Sequence, residues 1–418
     1  MAASPSDSAY VTALEAEEEQ ATSSCSPFVA AQIELSKRHW SQMAEPSDGI
    51  SMEEEAAIKL ENKETFKTLE MHPEWGEFFF TTFNRDSEVW ESMGSLELGE
   101  KFAEGAQAEL FHAHVHWSDP EMNQEDDEDG TKWVVKVFKK GTLVRHLQQQ
   151  WPEGLFQYTT KDFENTKLGK PPQVRYHSEV HCATLLEDGR FAFLMVKEDE
   201  DLRTLIDRKM KESDHGCGPF SKERGEEIMY RVAQGLNQLH SYGIVHRDLK
   251  ASNVLVRTSR PSPKYLWCSV ADFESSVGVV GTGFWRAPEI LQACRERNVN
   301  EKPELFSKKA DAYSYGMTCY EVLTGRVPFQ DHPLSKECPL LTDLVINQHL
   351  RPEVPEYVND WARELLESCW QFDPATRPSF VEILSFIEAN SEVEYIQEEA
   401  AKRMVVVEEA IHEIPKFR

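Results

Sequence analysis

Between His246 and Val256 the chain reads "HRDLKASNVLV", a polar loop running into an apolar stretch. Within it an acid, Asp248, is followed closely by a cation, Lys250, and then by an amide, Asn253. Phosphoryl transfer needs such a set on one short loop. Asp248 would orient or accept the proton of an attacking hydroxyl, Lys250 would meet charge on the transferring phosphoryl, and Asn253 would hold a magnesium ion. Any one of them could be an ordinary polar loop residue, but the run with this order and spacing is hard to obtain by chance.

The elements that must position this loop are legible on both sides. Before it, "GEEIMYRVAQGLNQLHSYG" carries Ile228, Val232, Leu236 and Leu239 at helical spacing, and Gly243 supplies a stop. Further upstream, from "LELGEKF" onward, short strand-like runs follow one another: "ELFHAHVHW", "KWVVKVF", "ATLLEDG" and "RFAFLMVK". Helical patterns take over from "DLRTLIDRKM" and continue in "DAYSYGMTCYEVLTG" and "DWARELLESCW". Sheet first and helices second indicates an α+β protein with two lobes.

Residues 1–93 have a different texture, dominated by Glu, Ser and Ala, with helical patterns at "FVAAQIELSKRHWSQM" and "SMEEEAAIKLENKETFKTL". One reading is a weakly structured acidic arm that keeps the protein soluble. The other is a small helical docking region with a partner of its own, since "WGEFFFTTF" is too aromatic for a free tail. At the far end, 391–418 reads as an acidic helical tail whose valines and isoleucines could cover the lobe or another chain.

A chain of 418 residues has room for two or three units with real cores. Its formal charge of −28 argues against nucleic acid, which needs a basic face, and against an acidic membrane surface. The 8 cysteines form neither a CxxC pair nor a spaced His partnership, so no zinc site or disulfide framework is expected and a reducing cytosol is the simplest home. The N-terminus lacks the basic start and apolar core of a secretory signal, and no run approaches a membrane span. The stretch "QEDDEDGTKW" imitates a calcium loop, but with Gly130 at the glycine position the final ligand would be Lys136, so an acidic hairpin insertion is expected instead.

The motifs together resemble those of a eukaryotic-type protein kinase, over Leu96 to Ala389. Beside the "HRDLKASN" loop, "GTGFWRAPEIL" resembles the end of an activation segment, with Ala287-Pro288-Glu289 as its terminal tripeptide. The stretches "DAYSYGMTCYEVLTGRVPF" and "CWQFDPATRPSFVEIL" resemble the helical lobe, most closely in the tyrosine-kinase-like group, and "WVVKVFKKG" looks plant-like. The resemblance implies a two-lobed kinase-like fold over 94–390, with a small antiparallel β-sheet lobe and a mainly helical lobe. It implies ATP and Mg2+ as cofactors, protein substrates, and a cytoplasmic signalling role. Asp248 and Lys250 would be catalytic, and Asn253 and Asp272 would ligate magnesium. Lys136, Gly105, Ala103, Ala113, Val134 and Leu255 would hold the nucleotide. Glu289 would pair with Arg377, and Asp311 would cap the catalytic loop through backbone N–H groups. Lys250 in "DLKASN" and Thr282 in "GTGFW" resemble the Ser/Thr form of the site.

The chain also departs from the family pattern. In the glycine-rich loop only Gly105 remains, with Ala103 and Ala108 at the other positions, and alanine loses the easy access to positive φ. The helix after the strand lysine should carry a partner glutamate, yet the only acid between Lys136 and Lys161 is Glu153, beside Pro152. In "SVADFESS", Asp272 and Phe273 are kept but Glu274 stands where glycine is expected, which would either impair catalysis or supply Lys136 with the missing charge. Ser275 and Ser276 could carry phosphate facing Arg247, or serve only as turn formers. Two functions follow: an ATP-dependent Ser/Thr protein kinase, and a pseudokinase that acts as a scaffold or allosteric partner.

Overall fold

The structure is a computed structural model that describes residues 51–72, 76, 79–81, 95–104, 107–116, 133–148, 176–178, 180–212, 217–257, 266–273 and 281–402. The chain divides into two compact units, a first that runs to Lys197 and a second from Glu198 onward, apart from two short segments of the later chain that group with the first.

The first unit is built on a sheet of β1 (Phe79–Thr81), β2 (Ser95–Glu104), β3 (Ala108–His116), β4 (Trp133–Phe138), β5 (Val180–Leu185) and β6 (Phe191–Val196), in the order β1-β5-β6-β4-β3-β2. All neighbouring pairs are antiparallel except β1 with β5, so the sheet is mixed at one edge rather than antiparallel throughout. That edge strand comes from the "WGEFFFTTF" stretch, ahead of the boundary expected for the sheet. Strand β4 is buried along its whole length, which explains its run of valines.

Alternation then separates two cores. Val135 and Val137 face one way with Ala113, Cys182, Ala192 and Leu194, while Val134 and Phe138 face the other with Phe191, Phe193 and Met195. Helix α1 (Met52–Glu70) and the short α2 (Val144–Gln148) lie on the second face, contributing Phe66, Leu69, Val144 and Leu147. Helix α1 begins with a capping box in which Ser51 and Glu54 satisfy each other's backbone N–H groups, and Glu53, Glu54 and Glu55 suit its N-terminal dipole. The expected helix at "FVAAQIELSKRHWSQM" and the acidic hairpin of 117–132 lie outside the described residues.

The second unit comprises β7 (Glu200–Asp201), α3 (Leu202–Glu212), α4 (Lys222–Ser241), β8 (Val254–Arg257), β9 (Trp267–Val270), α5 (Pro288–Glu296), α6 (Lys308–Thr324), α7 (Cys338–Asn347), α8 (Asp360–Cys369) and α9 (Phe380–Asn390). The stripe Ile228, Val232, Leu236 and Leu239 of α4 is buried, as its spacing requires, and Gly243 follows with φ 79°. Helix α6 is buried nearly all round, which makes it the central post against which the loop after α4 is fixed.

Candidate active site

The loop 245–253 is held from beneath by α6. Ser307 caps that helix by accepting from the Ala310 N–H, which sets Asp311 in its first turn, fully buried. Asp311 Oδ2 accepts from the backbone N–H of His246 at 2.7 Å and Oδ1 from that of Arg247 at 2.9 Å, while His240 Nε2 lies 2.8 Å from Oδ2. The capping role expected for Asp311 is therefore present in the geometry. Burial pushes its carboxyl up, but the His240 hydrogen bond, together with the backbone N–H of His246, outweighs that and holds it below the usual 3.8.

His246 itself is fully buried. Its Nε2 lies 2.8 Å from the Ala271 carbonyl, and its Nδ1 accepts from the Asp248 N–H at 3.3 Å, the pattern of the Nε2–H tautomer. It ties the loop to the stretch that carries Asp272. At both ends of this tie the backbone is left-handed without glycine, with φ 71° at Arg247 and φ 69° at Asp272. Such conformations cost about 1–3 kcal/mol each and persist where the surroundings over-determine them.

On this support the chemical side chains converge. Lys250 Nζ lies 3.2 Å from Asp248 Oδ2 and donates to Thr282 Oγ1 at 2.9 Å. Asn253 Nδ2 donates to the Asp248 carbonyl at 2.8 Å. Asp248 Oδ1 is buried and has no hydrogen-bond partner among the described residues, so one carboxylate oxygen remains available to a donor. Over it passes the chain at Gly281, with φ 82°, where a Cβ would come 2.9 Å from the Arg247 carbonyl. Arg286 secures that passage by donating twice to the Gly281 carbonyl, at 3.0 and 2.6 Å.

Asn253 and Asp272 come from the ends of paired strands. Val254 opposes Val270, and the Ala271 N–H donates to the Asn253 carbonyl at 2.9 Å. With its Nδ2 committed to Asp248, Asn253 leaves its side-chain oxygen to an electrophile, and Asp272 is exposed. No group of three or more His, Cys, Asp or Glu that could hold a metal occurs among the described residues. A site with one carboxylate and one amide oxygen fits magnesium, which keeps waters and binds through substrate phosphates rather than in an all-protein cage.

Two structural ties complete the second unit's site. Arg377 is buried and pairs bidentately with Glu289, at 2.8 Å for each bond, as expected. Glu321 was not singled out in the sequence. Its Oε2 accepts from the Ala251 N–H at 3.0 Å and Trp285 Nε1 at 2.8 Å, and its Oε1 from Arg203 Nη1 at 3.1 Å. Burial raises its carboxyl, opposed by Arg203 and these donors. The signal available was an acid inside the apolar run "CYEVL", where only a fully bonded carboxylate is tolerable.

In the first unit Lys136 is buried on β4, with Nζ 5.8 Å from the Phe138 ring centroid. Leu110 lies directly opposite it on β3, and Ala103 opposes Leu110 on β2. Val134 shares the Lys136 face. Ala113 does not: it opposes Trp133 and packs with Val135 and Val137 on the other face. Leu110, not Ala113, is thus the β3 residue on the Lys136 face, because the side-chain period of a strand is two, and Ala113, expected as a nucleotide contact, points to the opposite face. Leu255 belongs to the second unit, on the half-buried face of β8. Gly105, Glu153, Glu274, Ser275 and Ser276 lie outside the described residues.

The protein kinase domain family matches residues 183–386. A light-sensor protein kinase of Ceratodon purpureus is 34% identical over 227 residues, covering 49% of this chain and 17% of that protein. The serine/threonine-protein kinase STY17 of Arabidopsis thaliana is 34% identical over 175 residues, 41% of this chain and 28% of that protein. The related STY46 of the same plant is 27% identical over 312 residues, 72% of this chain and 45% of that protein. The chain thus spans less than half the length of these curated relatives.

Proposed function

Because the chain carries a protein kinase domain, with serine/threonine kinases among its relatives, we propose that it transfers the γ-phosphate of ATP to serine or threonine hydroxyls of protein substrates. The observation that carries this reading is the Asp248 carboxylate, fixed by Lys250 through one oxygen while the other is buried and without a partner among the described residues. A substrate hydroxyl donating to Oδ1 would have its proton oriented toward Asp248, which leaves the oxygen lone pair free to attack phosphorus. Lys250, already within reach of Asp248 and Thr282, would offset charge on the transferring phosphoryl. Asn253 and Asp272 would hold magnesium, which supplies charge neutralisation on the phosphates when bound. Lys136, Val134, Ala103, Gly105 and Leu255 are proposed as nucleotide contacts, with Leu110 added and Ala113 in a supporting role behind the sheet.

The Lys250–Thr282 hydrogen bond supports a Ser/Thr acceptor, because it commits the lysine and the acceptor-side threonine to one pocket wall. The likeness to Arabidopsis kinases supports a plant-type lineage. A cytoplasmic setting is in keeping with a charge of −28 and with no described helix long and apolar enough to cross a membrane.

Radiolabelled transfer from ATP with magnesium, to the protein itself and to a generic protein substrate, tests the reading. Asp248→Asn is expected to remain folded and to lose at least about a hundredfold in rate, the range of a positioned general base. A folded parent whose transfer does not exceed that of the variant would leave a scaffold of the same fold as the function.

A further inference from the structure

Helix α1 precedes the stretch that matches the kinase family, yet its best-buried polar residue is bonded to the very turns that anchor the phosphate-loop hairpin. Asn62 is buried. Its Nδ2 donates to the Thr142 carbonyl at 2.9 Å and to the Gly189 carbonyl at 3.1 Å, and its Oδ1 accepts from the Val144 N–H at 3.0 Å. Thr142 belongs to the turn that follows the Lys136 strand, Val144 opens α2 directly after it, and Gly189 belongs to the turn between β5 and β6. One amide side chain thus closes two turns that are far apart in sequence, and it satisfies the first N–H of α2 as a cap supplied by another helix.

Each of those turns also carries a cation bound to the tip of the β2–β3 hairpin. Lys139 Nζ lies 2.9 Å from Glu104, and its N–H donates to the Gln107 carbonyl at 2.9 Å. Arg190 Nη1 lies 2.8 Å from Glu109, and Lys101 lies 3.1 Å from the same carboxylate. Glu104 and Glu109 face each other where β2 ends and β3 begins. Hydrogen bonds from Lys101 and Lys139 hold the Glu104 carboxyl below its usual value. The facing ends of β2 and β3 are therefore held by charge on a frame that α1 holds shut.

Docking of α1 is specific. Gly189 has φ 86°, and a Cβ there would come 2.5 Å from Lys59 Cγ and 3.1 Å from Lys59 Cα, so the turn requires glycine on both counts. Lys140 pairs with Glu55 at 2.7 Å and Arg145 with Glu61 at 2.8 Å.

We propose that Asn62 is a positioning residue for nucleotide binding: through the two turns it closes, α1 sets the ends of β2 and β3, at Glu104 and Glu109, from which the connection proposed to grip the ATP phosphates is strung. This rests on the kinase reading above. The device suits this chain, in which alanines stand at 103 and 108 where the family pattern has glycine, and strand ends held by ion pairs take over from backbone freedom.

The test compares the full-length parent with Asn62→Ala, Gly189→Ala and Phe66→Leu. Phe66→Leu loosens the buried face of the same helix while leaving in place the Asn62 hydrogen bonds to both turns. Asn62→Ala and Gly189→Ala are expected to raise KM for ATP about tenfold, equivalent to loss of one or two net hydrogen bonds, with kcat within about twofold. Phe66→Leu is expected to lower the melting temperature at least as much and to leave KM for ATP unchanged. An unchanged KM in Asn62→Ala, or an equal rise in Phe66→Leu, overturns the proposal. Should the parent bind Mg-ATP, seen as a rise in melting temperature, but transfer no phosphate, the kinase reading fails alone. The same comparison is then made on that rise, which Asn62→Ala must diminish and Phe66→Leu must keep. A parent that neither transfers phosphate nor gains stability from Mg-ATP overturns both.

Discussion

Asp248, Lys250 and Asn253 show how a short run of residues becomes a site only through groups outside it. The backbone of that loop is fixed by Asp311 and Glu321 of α6, and by His246 within it, which reaches out to the Ala271 carbonyl. Asp311 makes this testable. A carboxyl held below 3.8 in the fold contributes stability at pH values above that, and the contribution is lost as pH falls through the folded value. Asp311→Asn is therefore expected to cost about 1–3 kcal/mol at neutral pH, where one loop N–H loses its acceptor. The gap to the parent should close as acid denaturation is followed below pH 3.8. A gap independent of pH would assign the effect to packing instead. The Glu289–Arg377 pair gives a second prediction. Arg377→Met strands a part-buried carboxylate and is expected to cost about 3–5 kcal/mol in chemical denaturation, while adding Glu289→Gln should recover part of the loss.

Among elements, the C-terminal segment that could have served this lobe or another chain is committed to the lobe as far as residue 402. Residues 394–402 are helical and lie on α4. Arg231 sits 4.0 Å from the Tyr395 ring centroid, Tyr230 donates to Glu388 at 2.6 Å, and Ser391 donates to Glu226 at 2.6 Å. Burial pushes the Glu226 carboxyl up, and the Ser391 and Asn359 hydrogen bonds oppose that rise. Ile396 is fully buried. Tyr395→Ala is expected to destabilise the second unit by about 3 kcal/mol, through lost aromatic burial and the cation–π contact. Amide exchange in α4 should rise in parallel; an unchanged α4 would show that this helix stands without the tail. Strands were the most legible elements, because β-branched and aromatic runs such as "WVVKVF" and "RFAFLMV" are short and bounded. The face that each residue occupies was not legible. Ala113 was expected beside the nucleotide and lies behind the sheet, since one residue of register inverts every side chain.

For the whole molecule, an excess of 73 acids over 45 bases sets its behaviour toward polyanions. The protein is expected to pass unretained through a heparin column at physiological salt and to bind an anion exchanger, and retention on heparin would disclose a basic face that the net charge conceals. The order of strands and helices and the polar "HRDLKASN" loop were readable from the chain, because their patterns are local, while the Glu289–Arg377 pair and the Asp311 cap were implied by the resemblance to protein kinases and are present in the geometry. What only the tertiary structure decided was long-range: Asn62 closing turns at 142–144 and 189, Glu321 joining Arg203, Ala251 and Trp285, and Leu110 opposing Lys136. A buried amide or carboxylate is tolerated only when distant donors and acceptors complete its hydrogen bonds, and where those partners lie is a property of the packed chain rather than of any stretch of its sequence.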